Sequence, residues 1–143
     1  MARYSIPRML GFDIGKIIML GTPNQGVNWV DSIPQGKKLS RLLFGPNIVG
    51  SLTDLSYFQI DLPRLIMYDV VCIAGTKQHT AWNPLSWMAS SFLNEEHDGF
   101  VPTRAVCGVG PFHSRPLKRH VDHLGMVVDN SFIDEVVGMV LQD

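Results

Sequence analysis

Cysteine is scarce in this sequence, and neither sign of charge is in excess. The 2 cysteines, Cys72 and Cys107, fall in apolar stretches, so we interpret them as small buried residues rather than as a disulfide framework. Lysine and arginine number 12 against 13 acidic residues, which leaves a formal net charge of −1 and no basic surplus to neutralise phosphates. We therefore expect no nucleic-acid partner.

Long apolar runs are missing as well. No run approaches the roughly 18 apolar residues of a membrane-spanning helix, and residues 1–10 lack the apolar segment of a signal peptide. We therefore expect a cytoplasmic protein. The 143 residues are 45% hydrophobic and 17% charged, which is typical of a soluble chain with an apolar interior. We expect residues 1–143 to form a single domain.

Two apolar runs and a weaker third predict a parallel sheet. Residues 16–22 form an unbroken run that ends in Gly-Thr-Pro, and residues 69–75 form a second one. Runs without polar alternation are typical of strands that are buried on both faces. A third strand is predicted near residues 116–121. The predicted fold class is α/β, with about three parallel strands flanked by helices.

Three segments predict the flanking helices. Residues 36–44 place leucines at helical spacing and end at a Gly-Pro pair. Pro102 suits the first turn of a short helix over residues 103–106, where a missing N–H costs nothing. A pattern like a capping box begins at Ser131 and predicts a helix to about residue 141. Its apolar face would consist of Ile133, Val136, Val137 and Val140.

The long segment at residues 76–97 carries Trp82 and Trp87. Long segments of this kind in compact domains are usually functional or mobile. A cap over an apolar substrate would explain the tryptophans, and the alternative is a loop that packs on the core. We include Trp82 among the candidate substrate-pocket residues.

Asp98 and His123 are the candidate catalytic residues. Asp98 lies in an Asp-Gly turn after the second predicted strand, and His123 lies in a turn after the third. Loops at the carboxyl ends of parallel strands meet at one edge of the sheet. A carboxylate that orients an imidazole there prepares it to take the proton of a serine hydroxyl. Each residue alone also has a plainer explanation, because Asp-Gly is a common turn pair and single histidines often cap or pack.

Several segments together resemble the C-terminal half of lipase- and esterase-like α/β-hydrolases. The resemblance implies a partial α/β-hydrolase fold in which Asp98 is the acid of a catalytic triad and His123 its base. It also implies that Thr22 and Pro23 border the substrate pocket, that the substrate is a hydrophobic ester or a lipid, and that no cofactor is needed. The segments are Ile-Ile-Met-Leu-Gly-Thr-Pro-Asn-Gln-Gly at 17–26, the run at 69–75, Asn83-Pro84-Leu85, Asp98-Gly99-Phe100-Val101-Pro102 and Asp122-His123-Leu124-Gly125.

The nucleophile of that family is missing from this sequence. Family members carry Gly-x-Ser-x-Gly upstream, whereas no serine here has glycine both two residues before it and two after it. Triad members act as a unit, so we expect the chain alone to be inactive. A mid-sheet strand at residues 17–22 would also be left with an uncovered edge, for which we expect self-association or a partner chain.

Two alternatives remain open at this point. A non-catalytic interaction module derived from a hydrolase, or a truncated gene product, would have the same fold without activity. A metallohydrolase is the other, because His120-x-Asp122-His123 is similar to half of a binuclear zinc motif. The preceding ligand of that motif would fall on Lys118, so further ligands would have to come from His79, His97 or His113. The loop at residues 21–26 lacks the Lys-Ser/Thr pair of a phosphate-binding loop.

Overall fold

Three parallel strands form the centre of the fold. The computed structural model of the chain describes residues 15–27, 29, 69–81, 84–106 and 115–141. Within them, β1 (Lys16–Leu20), β2 (Asp69–Gly75) and β3 (Leu117–Arg119) pair in parallel in the order β1-β2-β3. The predicted α/β class with three parallel strands is confirmed. The helix predicted at residues 36–44 lies outside the described residues, and so do Cys107, His113 and Trp82.

The three strands end at the same edge of the sheet. β1 runs beside β2 from the pair Lys16 and Asp69 to the pair Leu20 and Ile73. One further hydrogen bond, from Gly21 N to Ile73 O at 2.8 Å, continues this ladder. β3 pairs only with the last three residues of β2, which are Ile73, Ala74 and Gly75. The loops that follow the strands therefore lie close together.

The strand limits agree with the sequence to within two or three residues. β2 has the predicted bounds, and β3 is shorter than predicted. β1 ends at Leu20 rather than at Thr22, because Gly21 has φ +52° and turns the chain out of the extended conformation.

Alternate residues of the strands pack on opposite faces of the sheet. On one face, Ile17 and Met19 of β1 belong to a cluster with Val70, Cys72 and Ala74 of β2. On the other face, Ile73 packs with Val121, Met126 and Phe132, and Ile18, Leu20 and Val71 border this second cluster. Both faces are covered, as the apolar runs predict for parallel strands.

Helices cover the two faces of the sheet. On the first face lie α1 (Pro84–Phe92), which contributes Ala89, and α2 (Thr103–Val106), which contributes Ala105 and Val106. On the second lie α3 (Gly125–Val128) and α4 (Asn130–Leu141). The prediction of α2 from Pro102 is confirmed. The prediction that helices flank the sheet is confirmed as well.

Two details of α4 differ from the prediction. The helix is capped by Asp129 rather than by Ser131, since Asp129 Oδ1 accepts hydrogen bonds from Ser131 N (3.0 Å) and Phe132 N (3.2 Å). The packed face contains Phe132, Val136 and Met139, whereas the predicted members Val137 and Val140 are 48% and 51% exposed. The cap lies two residues earlier than predicted, and the larger side chains of Phe132 and Met139 take the core positions.

Part of the long segment at residues 76–97 is helical. Helix α1 places Ser86 and Ala89, both 0% exposed, toward the interior, and Trp87 is 56% exposed. The alternative that this segment packs on the core is confirmed for Ala89 and Met88, whereas Trp87 itself does not pack there. Whether the segment caps a substrate stays a prediction.

Candidate active site

Asp98 and His123 meet beyond the ends of β2 and β3. The two residues are 25 positions apart in the chain, and Asp98 Oδ2 lies 2.7 Å from His123 Nδ1. The Asp98 side chain is 1% exposed, whereas that of His123 is 33% exposed. A buried carboxylate thus holds one nitrogen of an imidazole whose ring remains partly open to solvent.

The main chain joins the two residues as well. His123 N donates a hydrogen bond to Asp98 O at 2.8 Å. The chain on the β3 side is held to the end of β2 by bonds from Thr76 N to Arg119 O (2.9 Å) and from Lys77 N to Val121 O (3.3 Å). Backbone hydrogen bonds therefore hold both loops in place in addition to the side-chain bond between Asp98 and His123.

A tight turn fixes the Asp98 carboxylate. Asp98 Oδ1 accepts hydrogen bonds from Phe100 N (3.0 Å) and Val101 N (2.7 Å). Gly99, which follows Asp98 in this turn, has φ +93°. The other oxygen, Oδ2, faces His123. Because an ionised carboxylate only accepts hydrogen bonds, His123 Nδ1 carries the proton and Nε2 is left as the basic nitrogen.

The surroundings of His123 favour its protonated form. Burial of the ring opposes protonation, but the hydrogen bond to Asp98 and the charges of Asp98 and Asp122 outweigh burial, so the pKa of His123 is raised above its ordinary value. The ring therefore becomes a stronger base toward a nearby hydroxyl.

Asp122 is a second buried carboxylate beside the pair. It is 5% exposed, its Oδ1 accepts a hydrogen bond from Gly125 N at 2.9 Å, and its Oδ2 lies 4.0 Å from Lys77 Nζ. The sequence suggested Asp122 only as a metal ligand. In the structure it closes the turn that carries His123.

Gly21 approaches both members of the pair. A Cβ atom at Gly21 would lie 3.0 Å from Asp98 Oδ2 and 3.1 Å from His123 Nδ1. Thr22 and Pro23, which were predicted to border a pocket, follow directly in the chain and are half-buried. That they border a substrate pocket stays a prediction. Trp82 lies outside the described residues, so its predicted role is untested.

The chain matches no protein-family model, no curated protein and no solved structure. Its site must therefore be judged on its own geometry.

A metal site would need a cluster of ligands, and the part of the chain that the structure describes has none. No group of three or more histidine, cysteine, aspartate or glutamate residues there could hold a metal ion. His120 is exposed, and the Nδ1 atom of His123 is bonded to Asp98.

A buried polar network lies next to the turn of Asp98. His97, which is 1% exposed, accepts a hydrogen bond from Gly99 N at its Nδ1 (3.0 Å) and contacts Ser90 Oγ through its Nε2 (3.2 Å). Ser90 Oγ donates to Ser86 O at 2.7 Å and lies 3.2 Å from His79 Nδ1. No sequence pattern pointed to this network, because its members become neighbours only through the turn and α1.

His97 does not act as a base toward Ser90. The Nδ1 atom of His97 accepts a bond from Gly99 N, so the proton of a neutral ring lies on Nε2 and points to Ser90. The hydroxyl hydrogen of Ser90 goes to Ser86 O. A histidine that donates to a serine cannot take the proton of that serine.

Apolar residues contact His123 or follow it directly in the chain. The ring of Phe100 lies 5.5 Å from the imidazole, measured between centroids. Leu124, Val127 and Val128, just after His123, are 45%, 64% and 65% exposed.

Among the described helices, none has the length and apolar character to cross a membrane.

Proposed function

We propose that this chain carries the acid and the base of an α/β-hydrolase-type serine hydrolase that acts on carboxylic esters or lipids. The nucleophilic serine would come from outside these 143 residues. One observation carries the proposal: a buried carboxylate, Asp98, bonds Nδ1 of a partly exposed imidazole, His123, at 2.7 Å beyond the carboxyl ends of parallel strands. This is where α/β folds place their reactive groups.

The chemistry follows from the Nε2 atom of His123, which faces away from Asp98, and from the Asp98 carboxylate, which holds Nδ1. His123 Nε2 would take the proton of the serine hydroxyl as the serine attacks the ester carbonyl, and would later give the proton to the leaving alkoxide. Asp98 would keep Nδ1 protonated and stabilise the imidazolium. The raised pKa of His123 supports this role, because it results from the hydrogen bond and charge of Asp98 against the opposing effect of burial.

An ester with an apolar acyl or alcohol part fits the surroundings of the pair. Phe100 contacts the imidazole, and the exposed Leu124, Val127 and Val128 follow it. Apolar side chains that remain exposed beside a reactive group favour a hydrophobic ligand. We assign Thr22 and Pro23 to the border of the same pocket, because they continue from Gly21. Trp82 is a further proposed pocket residue.

The part that carries the nucleophile would join the sheet at β1. Among the described strands, β1 is one of the two edge strands and pairs only with β2. A strand added at that edge would bring its own loop to the edge where Asp98 and His123 lie. The source would be another part of the same polypeptide, a partner chain or a second copy.

A non-catalytic module is the second candidate, and it is favoured by the missing Gly-x-Ser-x-Gly pattern. It would keep Asp98 and His123 as a structural ion pair within the same fold. The two candidates differ in whether the pair ever activates a serine.

A fluorophosphonate probe, which labels activated serines, separates the two candidates. We expect no labelling of the 143-residue chain, and labelling of a polypeptide extended by upstream coding sequence that contains Gly-x-Ser-x-Gly. The variant His123→Ala should abolish this labelling, whereas His120→Ala, at an exposed histidine, should retain it.

Two results would count against the proposal. Labelling of the 143-residue chain alone would show that the nucleophile lies within it. A folded extended polypeptide that is not labelled would favour the non-catalytic module.

A further inference from the structure

His97 joins the turn of Asp98 to helix α1. Its Nδ1 accepts a hydrogen bond from Gly99 N at 3.0 Å, and its Nε2 donates to Ser90 Oγ, 3.2 Å away, on α1. The ring is 1% exposed. Both ring nitrogens of a neutral imidazole are thus used, one as acceptor and one as donor.

The turn depends on this anchor. Gly99 is the residue after Asp98, and its N–H is fixed by His97 while the next two N–H groups bond Asp98 Oδ1. Gly99 also lies close to α1, since a Cβ atom there would be 2.9 Å from Ser86 Cβ. The imidazole of His97 therefore sets where the Asp98 carboxylate stands relative to α1, and hence relative to His123.

Only the neutral ring can do this. An imidazolium has two N–H donors, so its Nδ1–H would face the N–H of Gly99. Burial disfavours the charged ring, and the charges of Asp98 and Glu95 oppose that effect while His79 reinforces it. The net result is a lowered pKa for His97.

We propose that His97 is a positioning residue for the Asp98–His123 pair: its neutral imidazole holds the acid turn on α1, and its protonation or removal uncouples Asp98 from His123. The inference rests on the same pair as the proposed function. Its test reads the bond between Asp98 and His123 directly, so it can fail or succeed independently of serine labelling.

Two substitutions separate the two bonds of the ring. In His97→Asn the amide oxygen can take the place of Nδ1 and keep the bond from Gly99. In His97→Gln the longer side chain reaches toward Ser90 and loses the bond from Gly99. Exposed His120 provides the matched control, His120→Asn.

The readout is proton NMR of the His123 imidazole. A proton shared between Nδ1 and a carboxylate gives a resonance at very low field, and the ring C–H signals report the pKa. We expect His97→Gln to lose the low-field resonance and to lower the pKa of His123 toward its ordinary value. His97→Asn and His120→Asn should retain both signals. A folded His97→Gln protein with an unchanged resonance and an unchanged His123 pKa would overturn the proposal.

The pH dependence gives a test that does not require the Gln variant to fold. In the unmodified protein the low-field resonance should disappear, as pH falls, in the same step in which the His97 C–H signals titrate. In His97→Asn, which has no group to protonate there, the resonance should persist to lower pH. A resonance that survives protonation of His97 in the unmodified protein would refute the proposal.

Discussion

A methyl group at Gly21 should disturb the fold and the acid–base pair together. The Cβ atom of Gly21→Ala would lie 3.0 Å from Asp98 Oδ2, 3.0 Å from Met126 Sδ and 3.1 Å from His123 Nδ1. The methionine can yield because its side chain is flexible. The carboxylate cannot, since two backbone N–H groups hold its other oxygen.

The expected cost has two parts. A side chain in the left-handed region, where Gly21 has φ +52°, costs roughly 1–2 kcal/mol. Overpacking by one methyl group in a fixed surrounding costs about 1–3 kcal/mol. We expect Gly21→Ala to lower the free energy of unfolding by about 2–4 kcal/mol, because the flexible Met126 relieves part of the overpacking.

Urea denaturation measures this loss, and the low-field proton of His123 shows where it arises. With a slope of about 2 kcal/mol per molar urea, the midpoint should fall by about 1–2 M. The control is Gly138→Ala in α4, where the new methyl group meets nothing within 4 Å. This control should raise stability by about 0.5–1 kcal/mol, because glycine is a poor residue in a helix.

Our account of the site would be refuted by a Gly21→Ala protein within about 0.5 kcal/mol of the unmodified one that keeps the His123 proton resonance unchanged. That outcome would mean that Gly21 does not pack closely against Asp98 and His123.

Four further predictions concern single side chains. Asp98→Asn should lower the pKa of His123 toward its ordinary value, as ring C–H titration by NMR would show, and should lower the free energy of unfolding by about 1.5–3 kcal/mol through loss of a charge-assisted bond. Asp129→Ala should lower the urea midpoint more than Asp129→Asn, because asparagine retains the cap of α4. The stability contributed by His123, whose pKa is raised, is present below its unfolded-state pKa and is lost as pH rises through the folded-state value. The pKa of His97 is lowered, so His97 costs stability as pH falls below its unfolded-state pKa of about 6.5. Urea midpoints should therefore show His97→Asn gaining stability relative to the unmodified protein only in acid.

The strands and the convergence of Asp98 and His123 could be predicted from the sequence for a simple reason. Residues 17–20 and 70–74 are continuous apolar runs, which are typical of short strands covered on both faces. Asp98 and His123 each follow a strand, and parallel strands bring such positions to one edge. Each of these signals can be recognised in a short stretch of sequence, and the parallel arrangement of the strands then brings the two residues together.

Other features carried no local signal. The buried face of α1 is built from small residues, Ser86 and Ala89, so its sequence lacks a strong apolar period. His97 and Ser90 become partners only because the turn folds back on α1. In α4 the sequence offers two possible capping residues two positions apart, and Asp129 caps the helix by accepting hydrogen bonds from Ser131 N and Phe132 N.

The brevity of β3 has a consequence for how the site comes apart. His123 follows a strand with only three paired residues, two of them exposed, while Asp98 belongs to a loop that packs on α1. A local opening of residues 115–141 would therefore carry His123 into water and leave Asp98 where it stands. Hydrogen exchange should find the His123 amide released along with β3, well before the amides of β2.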